Sequence, residues 1–157
     1  MDNGNMNLIF RGQGKQLCIS IDGYEFDDEY VKQNKDEFGK SDDEWLMIKA
    51  VYTDVDEELV CYDPSLEVYE LNYLSEQISK VLKNTEQLIL VEFIEPNLMF
   101  KFNQNDKGYS VWVQFWDERR QRRYAVTQEM SFSELEAFRS EVDAAYNKYS
   151  NRFDMLS

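Results

Sequence analysis

Histidine does not occur in the 157-residue sequence. It is the commonest general acid/base and metal ligand, and the only side chain whose unperturbed pKa lies near neutrality. Its absence excludes Ser-His-Asp and Cys-His nucleophilic catalysis and most zinc sites. Cysteine is limited to Cys18 and Cys61, which read as reduced, small buried side chains of a cytoplasmic protein. No apolar run approaches the ~20 residues that span a bilayer. Met1–Asn5 lacks the basic and apolar regions of a signal peptide. Bases are also scarce, with 17 against 31 acids and a net charge of -14. That imbalance argues against nucleic acid and anionic membrane as partners. No cofactor and no metal site is expected, and an acidic binding protein with a basic protein partner is favoured.

The length predicts one domain, residues 1–157, able to bury roughly 70% of its unfolded surface. A hydrophobic content of 43%, with 15% aromatics, excludes general disorder. Residues 1–83 hold 19 acids and 8 bases, a net of -11, whereas residues 84–157 hold 12 and 9, a net of -3. Much of the excess lies in residues 22–44, with ten acids and three lysines.

Leu17, Ile19 and Ile21 alternate with polar or small residues, which predicts a half-buried strand. Leu8–Phe10 forms a shorter strand before it, and Arg11-Gly12-Gln13-Gly14 reads as the turn between them. Residues 23–43 are acidic and aperiodic, and read as a long loop within the domain. Strands follow from Trp45 to about Thr53 and from Glu58 to Tyr62, joined by a turn at Asp54–Glu57. Asp63-Pro64 reads as a helix cap and first helical position. Leu71, Leu74, Ile78, Val81 and Leu82 then mark an amphipathic helix over about 67–83.

The second half repeats this order. Strands are predicted at 88–94, 98–102, 109–116 and 123–128. Ser133 and Glu136 fit a capping box before a helix patterned by Leu135, Phe138, Val142, Tyr146 and Tyr149. The fold class is therefore α+β: antiparallel sheet of about eight strands with two amphipathic helices, in the order β4-α-β4-α.

Four features are candidates for chemistry. Glu92 interrupts an apolar run and is expected opposite Lys101, with Phe93 opposite Phe100, as a structural ion pair. A four-residue tip at 118–121 places Asp117 opposite Arg122, Trp116 opposite Arg123, Phe115 opposite Tyr124 and Val113 opposite Val126. Trp112, Trp116 and Arg123 then share the face away from the core, a composition suited to protein binding or to a cation–π pair at a solvated tip. Asp54-Val55-Asp56-Glu57-Glu58 lacks the glycine and terminal glutamate of a calcium loop and reads as a solvated turn. The acidic stretch, through Asp27, Asp28, Glu29, Asp36, Glu37, Asp42, Asp43 and Glu44, reads either as a solvated loop or as a surface that attracts a basic partner.

Several segments together resemble the WapI-type family of bacterial immunity proteins. They are Asp22-Gly23-Tyr24-Glu25-Phe26, Trp45-Leu46 opening a strand, Asp63-Pro64-Ser65-Leu66 with Glu70-Leu71, Phe93-Ile94-Glu95-Pro96-Asn97-Leu98-Met99-Phe100, and a final helix near Arg152-Phe153. The resemblance covers about residues 15–153, and order and spacing carry it. It implies a cytosolic protein that binds and neutralises a toxin domain, often a nuclease, and it implies no catalytic residues. The 27–43 acidic stretch and the Arg-rich tip depart from the pattern. Rival readings are a carboxylate-based or metal-dependent enzyme using Asp42, Asp43 and Glu44, and a non-catalytic scaffold subunit.

Overall fold

The computed structural model describes residues 4–33 and 45–156. Strands β1 (Leu8–Gly12), β2 (Lys15–Tyr24), β3 (Trp45–Thr53) and β4 (Glu58–Glu67) form one antiparallel sheet in sequence order, with the short helix α1 (Asp28–Gln33) between β2 and β3. Helix α2 (Val68–Leu82) follows. Strands β5 (Leu88–Glu92), β6 (Leu98–Asn105), β7 (Gly108–Asp117) and β8 (Arg122–Met130) form a second antiparallel sheet, and α3 (Phe132–Leu156) closes the chain. Both halves are thus four-stranded meanders followed by a helix, the α+β order expected from the periodicity.

One core unites them. Phe10 of β1, Phe100 and Phe102 of β6 and Phe138 of α3 pack as an aromatic cluster with centroid separations of 5.6–6.0 Å. Tyr52 of the first sheet stacks on Tyr124 of the second at 4.8 Å. The seam between sheets is narrow at β1 and β8. A Cβ built on Gly12 would lie 2.1 Å from the Thr127 carbonyl oxygen, so only glycine admits this approach. The β1–β2 turn is the Gln13–Gly14 pair, both at positive φ (53° and 75°) as a two-residue hairpin of this hand requires.

Local chemistry moved several boundaries. Asp63-Pro64 does not begin a helix: β4 runs on to Glu67. The β3–β4 register shifts between Leu46 and Ile48, so Pro64 sits in an irregularity of an edge strand, where its missing N–H breaks no ladder bond. Helix α2 instead starts after Glu67, whose backbone N–H donates to the Glu70 carboxylate at 3.0 Å. The capping box of α3 is Ser131 and Glu134, not Ser133 and Glu136. Ser131 N donates to Glu134 Oε1 at 3.0 Å and Glu134 N to Ser131 Oγ at 3.2 Å. That choice leaves Met130 and Leu135, both buried, at the hydrophobic-staple positions.

The β5–β6 register also differs from expectation. Glu92 faces Met99, and Lys101 faces Leu90, so there is no Glu92–Lys101 pair; Val91, not Phe93, faces Phe100. Pro96 cannot take the positive φ of a two-residue turn, and the connection widens. The slip is by two residues, so every side chain keeps its face. Glu92 is exposed. Of the stretch read as a loop, β2 continues to Tyr24 and α1 occupies Asp28–Gln33. A six-residue helix is too short to show a period; its signal was Asp27, whose carboxylate accepts from Tyr30 N at 2.7 Å.

Candidate binding surface

Alternation along β5–β8 sends one set of side chains into the core and leaves the other on a face that the described elements do not cover. The hairpin register is as the sequence predicts: Phe115 pairs with Tyr124, Trp116 with Arg123, and Asp117 with Arg122. Val113, Phe115, Tyr124 and Val126 are buried. The opposite face carries the row Leu90, Lys101, Trp112 and Thr127, and beside it Glu92, Met99, Gln114 and Ala125. Leu88 and Leu90 are 57% and 48% exposed. Both tryptophans are half-buried, and each carries a stacked cation: Lys101 Nζ lies 5.9 Å from the Trp112 ring and the Arg123 guanidinium 5.4 Å from that of Trp116.

Trp116 is held from several sides. Its indole Nε1 donates to Glu118 at 2.6 Å. Its backbone N–H donates to the Asn97 carbonyl at 2.6 Å, and its carbonyl accepts from Asn97 Nδ2 at 3.1 Å. Asn97 is buried. The Glu95-Pro96-Asn97 connection thus clamps the strand that presents the tryptophan. Sequence reasoning missed this role because the partner is nineteen positions away.

Beneath the tip lies a buried polar group. Asp117, 4% exposed, accepts from Arg120 Nη1 at 2.9 Å, from Cys61 Sγ at 3.3 Å and from Tyr124 Oη at 3.3 Å. Burial alone would raise its carboxyl, but the hydrogen bonds from Arg120 and Cys61 outweigh that and hold it below the usual carboxylate range. Burial, then the bond to Asp117, pushes the Cys61 thiol up to about 12. Arg122 pairs with Glu57 at 2.6 Å, joining the tip to the β3–β4 turn. Two of the four arginines at the tip therefore tie the halves together, while Arg123 stacks on Trp116. A cleft of about 370 Å³ opens here between β4 and the tip, lined by Tyr62, Asp63, Trp116 and Glu118 among others. Burial raises the Asp63 carboxyl, against the hydrogen bond from Ser65 and with the repulsion of Glu95 and Glu118.

The acidic candidates sit elsewhere. Asp27 and Glu29 are exposed at the start of α1, whose backbone also includes Asp28. Asp36, Glu37, Asp42, Asp43 and Glu44 lie outside the described residues. Tyr24, which precedes α1, pairs with Leu46 at one end of β3, whereas the tip meets Glu57 beyond its other end. The tip also faces Tyr62 and Asp63 of β4, whereas α1 follows β2, so the two candidate surfaces belong to different strands of the first sheet. Asp54 serves its own turn, accepting from Asp56 N, Glu57 N and Tyr52 Oη at 2.8–2.9 Å. Among the described residues no three His, Cys, Asp or Glu side chains converge on a metal position, and no helix is long and apolar enough to cross a membrane.

The profile of the Immunity protein WapI-like family matches residues 8–150. A search of curated proteins found no match. Among solved structures, the plant transcriptional regulator PBF-2 is similar over 94% of this chain and 83% of its own, at 11% identity and a TM-score of 0.48. WHY3 from Arabidopsis thaliana is similar over 96% and 93%, at 11% identity and a TM-score of 0.48. At such scores these likenesses carry no functional argument.

Proposed function

The chain belongs to the WapI-like family of immunity proteins, and from that premise we propose that it neutralises a cognate toxin domain by direct protein–protein binding. The family match over residues 8–150 carries this reading. The net charge of -14 supports a basic toxin domain, the character a nuclease cleft must have to hold a phosphate backbone. The acids at 27–29 act at long range, accelerating encounter rather than holding the complex. The aromatic face of the second sheet supplies the short-range contacts, with Trp112, Trp116 and Arg123 at the interface. The protein works in the cytoplasm, without catalysis, cofactor or metal, and contacts neither nucleic acid nor membrane itself.

Co-expression tests this. Cells producing the toxin domain encoded beside this gene should grow only when this protein is also produced. The two purified chains should co-elute as one complex on size exclusion. Growth arrest despite co-production, or two separate peaks at micromolar concentration, would refute direct neutralisation.

A further inference from the structure

We infer that the outer face of the β5–β8 sheet, centred on Leu90, Met99, Trp112 and Trp116, is the docking surface for a basic protein domain. This inference rests on the function proposed above and names the surface that performs it.

The composition is that of an interface. Leu88 and Leu90 stand largely in solvent on the edge strand, and Met99, Trp112, Trp116 and Ala125 are partly exposed on the same face, interleaved with Lys101, Gln114, Arg123 and Thr127. Tryptophan, methionine and leucine side chains among polar neighbours, with arginine beside them, are the mixture that protein interfaces are enriched in. Its size is suitable. Strands of 5, 8, 10 and 9 residues, at ~3.3 Å per residue and ~4.8 Å between strands, give the whole outer face roughly 500 Å². A standard interface uses ~800 Å² per partner. The anchors are also fixed in advance. Lys101 and Arg123 stack on the two rings, Glu118 fixes the Trp116 indole, and Asn97 clamps its backbone, so little side-chain freedom remains to be lost on binding.

Charge selects the occupant. A second copy would bring another -14 to the contact, and nucleic acid is repelled by the same field. A basic domain is attracted by it. Glu92, Glu118 and Glu129 are exposed at the margins of the face and can meet lysines and arginines on the partner, while Lys101 and Arg123 on the same face are taken up by stacking on the two tryptophans. The face itself belongs to the half of the chain with a net of only -3. Attraction is thus generated mainly by the first half, and adhesion occurs on the second.

The test uses Leu90→Arg, Trp112→Ala and, as a control on the outer face of the first sheet, Ile9→Arg. Ile9 and Leu90 have nearly equal exposure, 47% and 48%, so both arginine variants should fold and both add the same charge. Thermal melts establish folding, and titration calorimetry measures affinity for the purified toxin domain. Leu90→Arg and Trp112→Ala should each weaken binding at least ~30-fold, the effect of a hot spot of about 2 kcal/mol. Ile9→Arg should change it less than about threefold. Tight wild-type binding with the reverse pattern, or with Leu90→Arg unaffected, would overturn the surface while leaving the function standing. Failure of the wild-type protein to bind would overturn both. A wild-type dimer broken by Leu90→Arg in sedimentation, or a labelled single-stranded oligonucleotide bound at micromolar concentration and released by Trp112→Ala, would assign the face to a different occupant.

Discussion

At the scale of residues, two side chains bear more than their sequence positions suggest. Asp117 gathers the Arg120 guanidinium, the Cys61 thiol and the Tyr124 hydroxyl around one buried carboxylate. Asp117→Ala leaves the buried thiol and hydroxyl without their acceptor and should cost about 2–4 kcal/mol in urea unfolding. Its carboxyl titrates below the usual range when folded, so its contribution is complete above the unfolded pKa of ~3.9 and disappears as pH falls through the lower folded value. Stability measured from pH 6 down to pH 2 should therefore fall less steeply below pH 4 in Asp117→Asn than in the wild type; parallel curves would show the carboxylate is not held as described. Cys61, buried and with a thiol pushed up to about 12, should resist iodoacetamide at pH 8 until the protein is unfolded, as read by peptide mass spectrometry. Rapid native labelling at Cys61 would contradict its environment.

At the scale of elements, specific polar and backbone contacts join the two halves around their shared core. Glu70, 4% exposed at the start of α2, accepts the backbone N–H of Glu67 and, at 3.0 Å, that of Ile94 in the β5–β6 connection. One carboxylate thus caps its own helix and holds the second sheet against it. Glu70→Ala should destabilise by about 2–3 kcal/mol, and the exposed Glu76→Ala of the same helix by less than about 0.5 kcal/mol. Equal effects in chemical denaturation would remove Glu70 from this role. Gly12 is the counterpart on the other side of the core. Gly12→Ala must push β1 away from the Thr127 carbonyl, and it should lower Tm by several degrees or more, with the Tyr52–Tyr124 stack loosened in the near-ultraviolet spectrum.

At the scale of the whole molecule, the proposed function divides the work between charge and shape. Reversing Asp27, Asp28, Asp42 and Asp43 to lysine removes eight units of the -14. Association with the toxin domain should then slow by roughly tenfold or more at low salt, and the deficit should shrink as salt brings the Debye length to ~8 Å. Dissociation should change much less if these charges act mainly on encounter, as charges outside the contact do. Stopped-flow rates at several ionic strengths would show this, and an unchanged low-salt association rate would end the steering idea. The tryptophan and leucine variants should show the opposite division, with the change in the off-rate.

The sequence by itself determined the elements whose signal is periodic: eight strands, two long helices, their order, and the faces of β7 and β8 down to the pairing of Trp116 with Arg123. It also determined the charge, because charge needs no geometry. Register within β5–β6 was half determined. Periodicity two fixes which face a residue takes but not a slip by two, and the wider turn around Pro96 decided that. The helix over about 67–83 was legible, but the capping motifs were misassigned to Asp63-Pro64 and Ser133, because each has a local alternative that packing of the edge strand and of Met130 and Leu135 chose. Only the tertiary structure decided the contacts between distant segments: Glu70 with Ile94, Arg122 with Glu57, Cys61 with Asp117, and Gly12 with Thr127. No local pattern encodes such pairs, since they arise when two independently patterned sheets and their helices bury their apolar faces in one core.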